Sequence, residues 1–213
     1  MSFRRGCSQL RRRRSGRLIQ CRHGQTLLNQ LGLPQGRLID APLNSAGAAQ
    51  AAACGATLAR GQPLAVVGSS PRLRARQTAD AISAAAAPRV RESSRSDLDE
   101  VDDFVIGDPT YAYSDTRLRA AAVLIALQRA LKPGEAGAWV SHSRFLRVVL
   151  AAAAAEEAKA RGGDAGAAFL ADWKEAFPPG FRLGNAAITV VDIAGDGAFS
   201  VRCANSVVHL RKA

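Results

Sequence analysis

His23 and its neighbours Arg22 and Gly24 are the residues best suited to chemistry. They lie at the end of Arg17–Arg22, a short run typical of a β-strand. In an open α/β sheet, ligands bind beyond the carboxyl ends of the strands. An imidazole there is a nucleophile for phosphorus, and a neighbouring guanidinium neutralises phosphate oxygens with its planar fork. Glycine lets the backbone approach a ligand closely. The competing interpretation is an ordinary histidine whose hydrogen bonds are satisfied in a turn.

A second histidine stands in an equivalent place further along the chain. His142 follows Ala138–Ser141, another apolar run typical of a strand, and Ser143 begins a helical pattern. Because helix N-termini present backbone N–H groups to anions, we expect a phosphate beside this end too. Arg74 lies near the start of another predicted helix. These residues would form a positive pocket around a phosphoryl group.

The order and spacing of these motifs resemble the histidine phosphatase superfamily. Residues 22–26 match its R-H-G-x-T signature, residues 69–79 resemble its S-S-x-L-x-R-A-x-Q-T-A helix start, and residues 140–142 match its second histidine. Gln35-Gly36 and the following 40–43 segment resemble the family's next loop, and residues 183–188 resemble its closing N-x-x-I strand. The resemblance covers about residues 16–210.

The resemblance implies a phosphohistidine at His23, with Arg22, Arg74 and His142 holding the phosphoryl group. It implies no metal and no organic cofactor. It also places Asn29 in the pocket, where the family has an asparagine. The full set of expected substrate contacts is Arg22, Gly24, Asn29, Gln35, Gly36, Arg74, His142 and Ser143.

An acid must protonate the leaving alcohol and later deprotonate water, and one carboxyl group can do both in turn. Leu98-Asp99-Glu100 resembles the family's L-x-E pattern, which assigns this role to Glu100. The run that follows is offset by one residue and lacks the family's tryptophan, so Asp99, Asp102 and Asp103 stay open as alternatives. The family commonly has glycine after the second histidine, where this chain has Ser143.

Other residues near these motifs have simpler interpretations. Arg72 and Arg76 point to helix faces other than that of Arg74, so we expect them to be solvated. Three aromatic residues lie in the loop that covers family active sites and are candidates for lining the pocket: Phe104, Tyr111 and Tyr113.

Strands that alternate with helices predict a three-layer α/β/α sandwich with a mostly parallel central sheet, and the resemblance implies a phosphoglycerate-mutase-like fold. The last two strands are expected to form an antiparallel hairpin, and residues 93–114 to be irregular. The predicted strands are Arg17–Arg22, Leu64–Val67, Ala138–Ser141, Ala187–Asp192 and Ser200–Ala204, with a turn at 195–197. The predicted helices are Ser45–Arg60, Pro71–Ala86, Asp115–Leu131, Ser143–Arg161 and Ala167–Phe177.

Length and charge favour one domain, residues 16–213, behind a basic extension, residues 1–15. Six arginines in the extension account for more than half of the +11 net charge. The moderately basic remainder suits a small phosphorylated substrate, with a phosphoprotein also open. Aromatic residues make up only 5%, so nucleic acid is not expected, although the arginines of the extension keep it open. Monomer and homodimer both stay open.

The four cysteines form no CxxC pair and only three histidines are present, so the sequence does not indicate a structural zinc site. Reduced thiols fit a cytoplasmic protein. The arginine-rich, acid-free start of the chain leaves a mitochondrial location open. We expect no membrane segment, since no apolar run approaches the ~20 residues that one needs.

The expected activity is hydrolysis of phosphomonoesters. Two alternatives stay open. One is a phosphoglycerate-type mutase, although mutases of the superfamily tend to carry an insertion that is not evident between Glu100 and His142. The other is a catalytically weak relative that binds a phosphorylated ligand, which the altered acid loop and Ser143 would fit.

Overall fold

The computed structural model describes residues 14–91, 94–101, 109–160, 162, 183–194 and 198–212. These residues form a single sheet with helices on both faces. Its strands are β1 (Arg14–Arg22), β2 (Leu64–Ser69), β3 (Val90–Arg91), β4 (Glu135–Ser141), β5 (Ile188–Ala194) and β6 (Phe199–Ser206). The spatial order of these strands is β3-β2-β4-β1-β5-β6.

The sheet is parallel in one part and antiparallel in the other. Strands β3, β2, β4 and β1 are parallel neighbours, whereas β5 pairs antiparallel with β1 and β6 antiparallel with β5. A parallel pairing needs a crossover of a dozen or more residues, and β6 follows β5 too closely for one. The predicted α/β class is confirmed, but the sheet is mixed rather than mostly parallel.

Helices lie between most consecutive strands along the chain. They are α1 (Leu27–Gln30), α2 (Ser45–Ala59), α3 (Leu73–Ala86), α4 (Pro109–Arg129) and α5 (Ser143–Ala160), with 3-10 turns at Ser96–Leu98 and Val208–Lys212. Asn44 caps α2, because its side-chain oxygen accepts a hydrogen bond from the Gly47 N–H at 2.8 Å.

Two apolar cores hold the helices on opposite faces of the sheet. Consecutive strand side chains point to opposite faces, so Leu18 joins one core and Ile19 the other. The Leu18 core includes Leu124 of α4 and Val149 of α5, and the Ile19 core includes Ile82 of α3. Burying an aliphatic side chain of this size contributes about 1.5–3 kcal/mol. The predicted three layers are therefore present.

Some predicted boundaries are wrong. Helix α4 begins at Pro109, so the segment expected to be irregular up to residue 114 is helical in its last part; proline suits a first helical turn because its missing N–H is not needed there. Strand β1 begins at Arg14, inside the predicted extension. The predicted helix at 167–177, the turn at 195–197 and residues 1–13 lie outside the described residues.

Cys21, Cys54 and Cys203 are free thiols, and Cys7 lies outside the described residues. Across the part of the chain that the structure describes, none of the helices is both long and apolar enough to cross a membrane.

Candidate active site

The site lies where three adjacent parallel strands end. His23 directly follows β1, Ser70 directly follows β2, and His142 directly follows β4. The His23 N–H donates to the Ser141 carbonyl at 3.0 Å, and the Ser70 N–H donates to the Val140 carbonyl at 2.9 Å. These backbone bonds extend the sheet pairing by one residue, so the two histidines predicted from separate motifs meet at one sheet edge.

His23 is buried and oriented by its own loop. Its Nδ1 lies 2.7 Å from the Gly24 carbonyl oxygen, which can only accept, so Nδ1 carries the proton and Nε2 keeps its lone pair. Burial lowers the pKa of His23 well below its usual value, and the charges of His142, Arg22 and Arg74 lower it further. A neutral imidazole with a free Nε2 lone pair is the form that attacks phosphorus.

His142 is completely buried beside His23, with the ring centroids 5.2 Å apart. Its Nε2 lies 2.7 Å from the Ser70 hydroxyl. Its Nδ1 is buried and has no hydrogen-bond partner within the described residues. Burial lowers the pKa of His142 well below its usual value, and Arg74 and Arg22 add to the effect.

Two predicted phosphate-binding arginines lie at the same edge. The Nη1 of Arg22 donates to the Leu183 carbonyl. Arg74 is 1% exposed, and its two terminal nitrogens donate to the carbonyls of Ile39, at 3.0 Å, and Gly36, at 2.9 Å. The Arg74 Nε is buried and has no partner in the described part of the chain. Arg74 therefore anchors a loop over the site and keeps further N–H groups for a ligand.

The loop that Arg74 anchors contains the next predicted contacts. Gly36 has φ of +54°, a left-handed conformation that glycine adopts without steric cost. The side-chain oxygen of Gln35 is buried and lacks a hydrogen-bond partner among the described residues, and contact between Gln35 and a ligand stays a prediction.

Asn29, in α1, is linked to the His23 backbone through the side chain of Asn185. Its Oδ1 accepts from the Thr26 N–H at 3.3 Å, which completes a capping box on α1, and from Asn185 Nδ2 at 3.0 Å. Asn185 Nδ2 also lies 3.3 Å from the His23 carbonyl. Asn185 belongs to the N-x-x-I motif within residues 183–188, and its contacts at the site were not predicted.

Gly24 has a packing role that the sequence did not reveal. A Cβ there would lie 2.4 Å from the Gly47 carbonyl oxygen of α2, so only glycine permits this contact. The Gly24 N–H donates to the Thr78 hydroxyl at 3.0 Å, and that hydroxyl donates to the Arg74 carbonyl at 2.8 Å. Contact between Gly24 and a ligand stays a prediction.

Glu100 follows the 3-10 turn Ser96–Leu98 in the chain and contacts the first turn of α5. Its Oε1 accepts from the N–H of Val101 at 3.0 Å and from that of Phe145 at 3.1 Å. Burial raises the pKa of Glu100 and outweighs these hydrogen bonds, which act in the opposite direction. A carboxyl group that holds its proton more tightly than usual is suited to protonating a leaving group. One first-turn N–H of α5 is thus occupied by Glu100 rather than left for phosphate.

Asp99, one of the alternative acids, is held in an ion pair. Arg72 Nη2 lies 2.6 Å from its Oδ2. The prediction that Arg72 is solvated is therefore wrong: the residue is half-buried, because its helix start faces the buried Asp99 carboxylate. Arg76 is exposed as expected. Asp102, Asp103 and Phe104 lie outside the described residues, and the structure describes no side chain at Tyr111 or Tyr113.

Two further side chains border the site. The Ser143 hydroxyl accepts from the Leu183 N–H at 3.1 Å, and contact between Ser143 and a ligand stays a prediction. Arg119 of α4, which sequence reasoning missed, lies 4.2 Å above the Phe145 ring and donates to the Asp99 carbonyl at 3.0 Å. An arginine within a helical pattern carries no signal of this contact. No group of three or more potential metal ligands occurs in the described ranges.

A family model matches the part of the chain that carries most of these residues. Residues 18–103 match the model of the histidine phosphatase superfamily (branch 1), a range that contains Arg22, His23, Arg74 and Glu100. The match ends before His142. None of the curated proteins matches the sequence significantly.

Solved structures extend the similarity to most of the chain. A phosphoserine phosphatase from Entamoeba histolytica, in complex with 3-phosphoglyceric acid, is 22% identical with a TM-score of 0.64, over 92% of this chain and 99% of that one. A phosphoglycerate mutase from Bacillus anthracis is 15% identical with a TM-score of 0.69, over 94% and 97%. A mycobacterial glucosyl-3-phosphoglycerate phosphatase is 22% identical with a TM-score of 0.62, over 89% and 99%.

These likenesses establish the fold, and the family model matches the segment that carries the first histidine. The second histidine lies beyond that segment, but β4 delivers it to the same edge of the shared fold. Residues 18–103 therefore match the histidine phosphatase superfamily, and most of the chain shares its fold with solved phosphatases and a phosphoglycerate mutase.

Proposed function

We propose that this protein is a phosphatase that hydrolyses small phosphomonoesters through a phosphohistidine at His23. The observation that carries the proposal is the 2.7 Å contact between His23 Nδ1 and the Gly24 carbonyl: the carbonyl accepts from Nδ1–H, which leaves the Nε2 lone pair for phosphorus, and burial lowers the pKa of the ring, which favours its neutral form. The buried nucleophile lies among cationic side chains, which favour a phosphoryl dianion over a neutral ligand.

In the first step, His23 Nε2 attacks phosphorus and the bond from phosphorus to the ester oxygen breaks. Glu100 gives its proton to the departing oxygen, so an alcohol leaves. Arg22, Arg74 and His142 hold the three phosphoryl oxygens. This step needs positioning and charge neutralisation rather than elaborate covalent chemistry.

In the second step, the Glu100 carboxylate takes a proton from water as the water oxygen attacks phosphorus. The bond from phosphorus to Nε2 breaks, inorganic phosphate leaves, and both His23 and Glu100 return to their starting forms. The raised pKa of Glu100 supports this double role, because its protonated form persists nearer to neutral pH than that of an exposed glutamate.

The substrate class is a small phosphorylated molecule. Beyond Arg22 and Arg74, the site edge carries Arg119, whose charge contributes to the lowered pKa of His142. This surplus of positive charge favours a strongly anionic substrate.

The test is hydrolysis of 4-nitrophenyl phosphate with EDTA present. We expect activity in the wild type and none in His23→Ala. Glu135→Gln is the control, because Glu135 lies at the amino end of β4, whereas His142 follows its carboxyl end, and this variant should keep the wild-type rate.

Other outcomes would replace the proposal. Transfer between phosphoglycerate hydroxyls that depends on a bisphosphoglycerate primer and exceeds hydrolysis would indicate a mutase. Phosphate binding without turnover of any ester would indicate a ligand-binding relative.

A further inference from the structure

The buried carboxylate next to Glu100 belongs to a hydrogen-bonded chain that ends at His142. Asp99 is 4% exposed, and its Oδ1 accepts from the Ser70 hydroxyl at 3.2 Å. Arg72 holds the same carboxylate through Nε, at 2.9 Å from Oδ2, and through Nη2. Ser70 in turn lies 2.7 Å from His142 Nε2. Asp99 therefore reaches the active-site ring through one hydroxyl.

The direction of these hydrogen bonds fixes the proton on His142. The Ser70 hydroxyl donates its single proton to Asp99 Oδ1, which also accepts from Arg72 Nε at 3.0 Å and from the Glu100 N–H at 2.9 Å. Ser70 must then accept from His142, which places a proton on Nε2. The other nitrogen, Nδ1, is left with its lone pair, buried and without a partner in the described part of the chain.

A lone pair at Nδ1 is the wrong partner for a phosphoryl oxygen, which needs a donor. If His142 gains a proton at Nδ1, it donates there to the ligand and keeps its Nε2–H directed through Ser70 toward Asp99. The proton comes from a monoanionic phosphate or from solvent, and no other bond forms or breaks. The Asp99 Oδ1 lies 3.6 Å from Nε2, near enough for its charge to offset that of an imidazolium.

On the basis of the proposed function, we propose that Asp99 is a positioning residue: through Ser70 it fixes the ring of His142 and stabilises the protonated ring when a phosphoryl group is bound. The arrangement parallels a carboxylate that orients a catalytic histidine and supports its charged form, with a serine hydroxyl placed between the two groups.

The charges around His142 explain why this carboxylate is needed. Arg22, Arg74, Arg72 and Arg119 all lower the pKa of His142, as does its burial. His23 faces it from β1 at a centroid distance of 5.2 Å. Among these groups, Asp99 is the anion that is joined to His142 through the Ser70 hydroxyl. Its removal should therefore destabilise the protonated ring.

The matched variants are Asp99→Asn and Asp192→Asn. Both remove a buried carboxylate that pairs with an arginine, but Asp192 pairs with Arg17 on strands β5 and β1, away from the histidines. A loss of fold stability is expected from both. A change in the pH dependence of phosphate binding is expected only from Asp99→Asn. Ser70→Ala removes the relay and leaves the Asp99–Arg72 pair, so it serves if Asp99→Asn does not fold.

The experiment is calorimetric titration of each protein with inorganic phosphate between pH 5 and 9, taken relative to wild type so that the titration of phosphate itself cancels. The pH above which phosphate binding declines should fall by about one unit in Asp99→Asn, because a lost anion disfavours the imidazolium. Phosphate affinity at neutral pH should fall roughly 10- to 100-fold, the loss seen when partners that orient metal-binding histidines are removed.

An unchanged pH profile in a folded Asp99→Asn protein would overturn the inference, as would an equal shift in Asp192→Asn. Absence of phosphate binding in the wild type would overturn it together with the proposed function. Because this readout needs no turnover, a wild type that binds phosphate but hydrolyses no ester would refute the phosphatase and still test Asp99.

Discussion

Replacing Glu100 with glutamine separates proton transfer from the structural role of this side chain. The glutamine oxygen can still accept from the N–H groups of Val101 and Phe145, so the contact at the start of α5 is kept. What disappears is the transferable proton. A general acid contributes roughly 10²- to 10⁴-fold to a rate, or about 3–5 kcal/mol of transition-state stabilisation. We expect a loss of this size for an alkyl phosphate, whose leaving oxygen needs a proton.

The leaving group distinguishes the two steps. Nitrophenolate leaves without a proton, so Glu100→Gln should still release a first equivalent of nitrophenol from 4-nitrophenyl phosphate and then turn over slowly. Glycerol 2-phosphate should give no such burst. Glu135→Gln is the matched control, because Glu135 lies at the amino end of β4 and His142 follows the carboxyl end of that strand. This variant should hydrolyse both esters at the wild-type rate.

The reasoning would be refuted if folded Glu100→Gln hydrolysed glycerol 2-phosphate within about threefold of wild type. The acid would then be a neighbouring carboxylate, and Asp102 and Asp103 would be the next to replace. Asp99 is a poorer candidate because Arg72 and Ser70 already occupy its oxygens.

Glu100 also predicts a pH dependence with a defined sign. Its folded-state pKa is raised by burial, so the folded protein binds more protons than the unfolded chain between the usual glutamate value and the raised one. Stability should therefore be lost as pH rises through that interval, and Glu100→Gln should remove this slope in a urea-denaturation series. Hydrolysis of the alkyl phosphate should decline over the same interval, because the protonated carboxyl is the reactive form.

Two further substitutions test the geometry of the site. Gly24→Ala would place a Cβ 2.4 Å from the Gly47 carbonyl oxygen and should cost roughly 3 kcal/mol of unfolding free energy in urea denaturation. Gly16→Ala is its control, since its Cβ would meet only ordinary contacts at 3.5 Å, and equal losses in both would contradict this account. Arg119→Met removes one positive charge near His142 and should raise KM for phosphate esters about tenfold with a smaller effect on kcat. Unchanged steady-state constants would show that Arg119 serves only Phe145 and the Asp99 carbonyl.

The sequence was sufficient for those parts of the fold and site that depend on local patterns. Strand β4 and the helix after it could be predicted because an apolar run meets a helical period at His142. The same is true of the start of α2 at Ser45. The meeting of His23 with His142 followed from the rule that parallel strands end at one edge, together with the family resemblance.

Contacts between residues distant in the sequence could not be predicted. Arg72 pairs with Asp99 from 27 positions away, and Arg119 reaches the Asp99 carbonyl from 20 positions away. Neither the residue types nor their spacing in the sequence indicates that these side chains contact Asp99. The start of α4 was missed for another reason: the residues after Pro109 have low helix propensity, and the helix that includes them contributes to the packed core through Leu124.

The central claim is that His23 carries the phosphoryl group, and trapping that intermediate tests it most directly. Glu100→Gln protein, in which hydrolysis of the intermediate should be slow, would be mixed with 4-nitrophenyl phosphate, quenched in alkali and digested for mass spectrometry. We predict one added phosphoryl group, stable in alkali and lost in acid, on the peptide that contains His23, and none in a variant that also carries His23→Ala. A phosphoryl group on another residue, or turnover without any covalent intermediate, would contradict the account.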